Sequence, residues 1–119
     1  MNYSQAIHAF WSGFGWETYD ENSVPDDAGY PRLTYDVVEA EFDDKATMSA
    51  NLFNKSTSWG ALQEKLDEIS TEIGRGGKVI KIDDGAVWIT KASPFARRSS
   101  ESDTIKAIII NINAEKIKN

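Results

Sequence analysis

An α+β fold is what this sequence predicts: a mostly antiparallel β-sheet packed against two helices, in the order α-β-β-β-α-β-β-β. Three observations carry that expectation. Two segments place apolar residues at helical spacing, and the remaining apolar residues fall in short alternating or β-branched runs. Glycines, prolines and acidic pairs punctuate the chain between them. No internal repeat or low-complexity stretch divides residues 1–119, and 40% hydrophobic content suits one domain with one modest core.

The first helix is expected over Ser4–Phe14. Ile7, Phe10, Trp11 and Phe14 follow the i, i+3, i+4, i+7 rule, and Gly13 and Gly15 mark its end. Trp16–Tyr19 reads as a short strand. The connection Asp20–Pro31 follows, with two prolines, a glycine and four acidic residues. So long an irregular segment in a small domain is either functional or simply solvated, and composition leaves both open. Arg32–Phe42 reads as a second strand. Leu33, Tyr35 and Val37 share one face and Val38, Ala40 and Phe42 the other, which implies a bulge or burial on both sides. Asp43-Asp44-Lys45 turns the chain into a third strand, Thr47–Asn54, with Met48, Ala50 and Leu52 on one side.

Ser58–Gly74 is the second helix. Trp59, Leu62, Leu66, Ile69 and Ile73 form one apolar stripe, the Ser/Thr cluster before it offers an N-cap, and Gly74, Gly76 and Gly77 stop it. Glu64, Glu68 and Glu72 stack along its polar side, a solvated face or a seat for a basic partner. Lys78–Asp83 and Ala86–Lys91 read as a hairpin about Asp84-Gly85, pairing Ile82 with Val87 and Ile80 with Ile89. Trp88 then stands on the more polar face, to cover a neighbouring helix or loop or to meet another subunit. Ala92–Asp103 reads as a loop in which Phe95 precedes Arg97 and Arg98. It is either a floppy connection or a projecting arm of hot-spot composition. Ile105–Ala114 is the last strand, near-continuously apolar as a central strand should be.

Chemical equipment is sparse. There is no cysteine, which excludes disulfide and thiolate chemistry, and a single histidine makes a nitrogen/sulfur zinc site implausible. His8 reads as a helix-packing or surface residue. The pairs Asp26-Asp27 and Asp83-Asp84 sit in turn contexts, where Asp is favoured for local hydrogen bonds. Gly74-Arg75-Gly76-Gly77 follows a helix instead of opening one, so it is no phosphate cradle. The expectation is a protein without catalysis, metal or cofactor. No apolar run of membrane length and no secretory pattern occurs, so the reading is soluble and intracellular.

Net charge is −6, divided as −7 over residues 1–60 and +1 over residues 61–119. Tight nucleic-acid binding is disfavoured, because it rests on clustered Lys and Arg. The unequal halves either orient copies in a self-assembly or intermix on a solvated surface.

Several of these pieces also carry a likeness. The helix ending Phe14-Gly15-Trp16, the aromatic strand, ENSVPDDA over Glu21–Ala28 and PRLTY over Pro31–Tyr35 occur in this order. The helix start Ser56-Thr57-Ser58-Trp59 and the run GAVWITKASPF over Gly85–Phe95 follow. Together they resemble the small tail-completion proteins of long-tailed bacteriophages and prophages, the tail terminators and related tail-to-head joining proteins. That resemblance implies a virion protein forming a commonly hexameric ring on the head-proximal end of the tail tube. The ring ends tube polymerisation and joins the tail to the head connector, while DNA passes through its lumen unbound. A negative lumen suits such passage. The partners implied are further copies of the chain, the tail tube protein and the connector or neck protein. A head-completion role in the same region, or a small host module binding a ligand or peptide, are the alternatives. The candidate interface residues are Asp26, Asp27, Trp88, Phe95, Arg97 and Arg98.

Overall fold

The first helix begins where Asn2 and Gln5 close a reciprocal capping box, each side chain accepting from the other's backbone N–H. In the computed structural model, which describes residues 1–119, this helix is α1, Tyr3–Ser12. Its stripe of Tyr3, Ala6, Ile7, Phe10 and Trp11 is buried, and Phe14 continues the burial just beyond the helix. Along the chain follow β1 (Glu17–Asp20), β2 (Arg32–Tyr35), β3 (Lys45–Lys55), α2 (Gly60–Ile73), β4 (Lys78–Ile82), β5 (Gly85–Ser100) and β6 (Ile105–Lys118). The fold is α+β with two helices. The six strands form one sheet in the order β1-β2-β3-β6-β5-β4, and the sheet is mixed, because β1 and β2 pair in parallel.

Strand alternation decides which residues meet the helices. Leu33 and Tyr35, Met48, Ala50 and Leu52, Val87 and Ile89, and Ile108, Ile110 and Ile112 all point to one face and are buried there. Both helices cover that face, and the whole set belongs to one core cluster. The opposite face carries Thr47, Ser49, Asn51 and Phe53 of β3 beside Asn113, Asn111, Ile109 and Ala107 of β6. Its hydroxyls and amides bond across strands: Thr47 to Asn113 and Ser49 to Asn111 at 2.7 Å each, and Asn51 to Thr34 at 3.3 Å. No helix is long and apolar enough to cross a membrane.

Four expectations change. The strand expected over Arg32–Phe42 ends at Tyr35. The Asp36 carboxylate accepts from Ser49 N–H at 2.9 Å, a last substitute ladder bond. The chain then leaves the sheet towards α1, where Tyr3 Oη donates to Val38 O at 2.6 Å and Lys116 pairs with Glu39 at 2.7 Å. The hairpin turn is Asp83-Asp84, not Asp84-Gly85, so Ile80 pairs with Val87 and Ile82 with Gly85. The slip is two residues in register and leaves every side chain on its expected face. Gly85 is required in the strand, because a Cβ there would collide with the Ile117 carbonyl of β6.

The third change is the largest. Ala92–Asp103 is not a loop: β5 runs on to Ser100, pairs with β6 down to Lys106, and turns only at Glu101–Thr104. The register breaks at Ala92–Phe95, around Pro94, which has no N–H to give a ladder. Asn111 opposite donates to Pro94 O at 3.1 Å and holds the bulge. Fourth, α2 lacks a side-chain cap bond at its N-cap, Trp59. Ser58 Oγ instead accepts from Gly60 N–H at 3.1 Å. Gly74, at φ +69°, ends that helix.

The α2 stripe also divides unequally. Leu62, Ile69 and Ile73 are fully buried, while Trp59 and Leu66 are only half-buried. Ile69→Ala is therefore expected to cost about 2–5 kcal/mol of unfolding free energy. Leu66→Ala should cost roughly 1–2 kcal/mol, in proportion to its partial burial. Glu64→Ala, on the exposed side, should stay within about 0.5 kcal/mol. Urea denaturation of the three variants checks the ranking, and an Ile69 variant as stable as the Glu64 variant would contradict the packing.

Candidate functional site

Three open grooves mark the surface, and strand ends position each. The largest, about 460 Å3, lies at the β1 edge. The loop between β1 and β2 folds back there, so Asp27, Ala28, Gly29, Tyr30 and Pro31 stand against Trp16, Glu17 and Tyr19. The return is held by Ala28 N–H donating to Pro25 O at 3.1 Å and by Arg32 Nη1 donating to Ala28 O at 3.1 Å. Tyr19 donates to Glu17 at 3.0 Å, and that bond, ahead of any burial, raises the Tyr19 pKa. Asp26 and Asp27 are exposed, and only Asp27 lines the groove.

A second groove of about 370 Å3 lies between the helices, lined by Phe10, Phe14, Glu68, Glu72, Lys78 and Ile80. The third, about 200 Å3, separates α2 from the distal part of β5 and is lined by Gln63, Leu66, Ala96, Arg97, Arg98 and Ile108. None gathers a nucleophile and a base. His8 Nδ1 lies 2.8 Å from Tyr35 Oη on the surface of α1, and no acid, hydroxyl or thiol completes a relay. No group of three or more His, Cys, Asp or Glu side chains is placed to hold a metal ion.

The expected interface residues do not form one patch. Trp88 folds over the glycine loop after α2 and donates through Nε1 to Gly76 O at 2.8 Å. Gly77, at φ +87°, allows this, because a Cβ there would press on Trp88 Nε1 and lie 2.7 Å from Ile89 O. Phe95 is no isolated anchor either. It packs half-buried against the core, with Lys91 Nζ 5.2 Å from its ring centre. Arg98 lies over Trp59 at 4.6 Å and donates to Gln63 at 3.3 Å, and Lys106 approaches the same indole at 5.1 Å. Arg97 stands on the opposite, helix-free face and is exposed with no hydrogen bond or ion pair of its own.

Sequence reasoning missed two clusters. Arg32 stacks on both Tyr30, at 4.5 Å, and Phe53, at 5.3 Å, welding the β1–β2 loop to the bare sheet face. Lys116 lies over Phe42 and Tyr3, at 4.7 and 5.8 Å, and pairs with Glu39. The contributing residues are far apart in sequence, and no local pattern announces either cluster. Compared with known proteins, the chain matches no protein-family model, and no curated protein matches it at a significant level.

The Lys116 cluster gives a pH signature. Burial, and then the nearby Glu39 and Asp36 carboxylates, push the Tyr3 phenol from 10.0 up to about 12. Because the folded state keeps this proton longer than the unfolded state, the associated stability is complete below pH 10. It is lost as pH rises towards 12. Urea midpoints measured from pH 9 to 12 should fall, and Tyr3→Phe should fall less steeply. An equally steep decline in that variant would remove Tyr3 as the cause.

Proposed function

We propose that this chain is a non-enzymatic assembly protein of the tail-terminator type. Its copies form a ring at the head-proximal end of a phage tail tube, end tube growth and join the tail to the head connector. The reading is supported first by the resemblance of Phe14–Trp16, Glu21–Ala28, Pro31–Tyr35, Ser56–Trp59 and Gly85–Phe95 to that group of proteins. The observation that carries it structurally is the one-sided sheet. Both helices cover one face, while the second face carries no helix and the lateral strands β1 and β4 each pair on one side only. Such a module has much surface for flat, repeated protein contacts and only shallow grooves for a small molecule.

The molecule is also elongated, 47 by 30 by 20 Å, and β3, β5 and β6 are its longest strands. Partners in this reading are further copies, the tube protein and the connector. DNA passes without specific contact, in keeping with the net charge of −6.

Sedimentation velocity over a rising concentration series, with negative-stain images of the most concentrated sample, tests the proposal. The expected result is a closed oligomer whose population grows with concentration, seen as rings of uniform diameter. Monomers throughout, or open filaments of indefinite length, would overturn it.

A further inference from the structure

We propose that two of the sheet's three free strand edges, those of β1 and of distal β5, are complementary halves of one subunit–subunit junction, the third being the outer edge of β4. The acidic β1 edge of one copy pairs with the distal β5 edge, Phe95–Ser100, of the next. This rests on the ring-forming reading above and names where neighbouring copies meet. Both edges are open in the same sense. β1 is bonded to β2 alone among the strands, and of its outward backbone groups only Asp20 O is taken, by Ser23 N–H at 2.9 Å. On the other side, β4 covers β5 only from Gly85 to Ile89. Beyond the bulge, Ala96–Ser100 bonds to β6 alone, and its outward N–H and C=O groups are likewise unpaired. Unpaired edges of this kind template the addition of a further strand.

Charge selects which edge meets which. Residues 17–32 carry Glu17, Asp20, Glu21, Asp26 and Asp27 against the single Arg32, whereas residues 91–100 carry Lys91, Arg97 and Arg98 and no acid. Two β5 edges repel one another, and so do two β1 edges, but a β5 edge attracts a β1 edge. The contact is therefore heterologous, and heterologous contacts repeat from copy to copy and make a ring when the rotation between copies closes.

Strand direction agrees. β1 runs parallel to β2, and each successive neighbour, β3, β6 and β5, reverses direction. Distal β5 thus runs opposite to β1, and a neighbour that continues the sheet makes an antiparallel pair. Sheet continuity also matches faces. Arg97 stands on the helix-free face, as do Glu17 and Tyr19, by register through Arg32 and Thr34. Arg97 is the free guanidinium of the arm, and the Trp16, Tyr19 and Tyr30 groove with Glu17 and Asp27 offers both the stacking faces and the carboxylates it lacks. Arg98 is already held over Trp59, so it supports the arm from within.

The chain has no cysteine, which makes cross-linking clean. The test uses Thr18→Cys on β1 and Ser100→Cys on β5, which share the helix-covered face by register, each a near-isosteric change, with a short bis-maleimide. The double variant should give a ladder of covalent oligomers. Each single variant should stay uncoupled, and a mixture of the two singles should stop at a covalent dimer. Adding Arg97→Glu should abolish the ladder, while Arg97→Lys should retain it. Cross-linking of Ser100→Cys with itself would show a symmetric contact and overturn the junction. An uncoupled double variant, alongside a wild type that still sediments as a ring, would overturn the junction and leave the ring standing. A wild type that is monomeric at every concentration would overturn both.

Discussion

β6 is the constraint on which the rest depends. It pairs with β3 on one side and β5 on the other along nearly its whole length, so its register fixes theirs. Ile108, Ile110 and Ile112 are fully buried beneath the helices, and a slip of one residue would exchange them for Ile109, Asn111 and Asn113. The asparagines then hold the bare side, through Thr47, Ser49 and the carbonyl of Pro94. One strand therefore sets the core on one face and the polar ladder on the other.

The one-sided cover explains why surface is abundant. Buried groups spend themselves on packing, and the cationic side chains settle over aromatic rings: Arg32 on Tyr30 and Phe53, Arg98 on Trp59, Lys116 on Phe42. Each such pair ties an irregular segment or helix start to the sheet. What stays uncommitted includes the β1 edge and the distal β5 edge. There, short length, Pro94 and like charges protect the monomer against indiscriminate pairing, while opposite charges between the edges leave one selective contact open.

The parallel β1–β2 pair comes from the same economy of connections. The β1–β2 loop turns back beside β1 and returns the chain in its original direction, which is why the sheet is mixed. Its acidic residues thereby gather at one lateral edge, away from the basic distal hairpin.

By itself the sequence determined both helices, the faces of the strands that form and the absence of cysteine, because periodicity and composition are local properties. Ile7, Phe10, Trp11 and Phe14 declare the buried face of α1, and Met48, Ala50 and Leu52 that of β3, without any knowledge of partners. Tertiary structure alone decided what pairing decides. Val37–Phe42 alternates like a strand, yet Asp36 and the pull of Tyr3 and Lys116 take it off the sheet. Ala92–Ser100 looks like a loop but becomes strand, because the first half of β6 otherwise has no partner on that side. Asp84-Gly85 carries the stronger turn signal, but the approach of the Ile117 backbone claims Gly85 for the strand. Of the expected interface residues, Trp88, Phe95 and Arg98 were claimed by contacts within the chain, and Arg97 was left free. Which charged or aromatic side chain remains available is settled only by what lies next to it in space, and no local pattern encodes that.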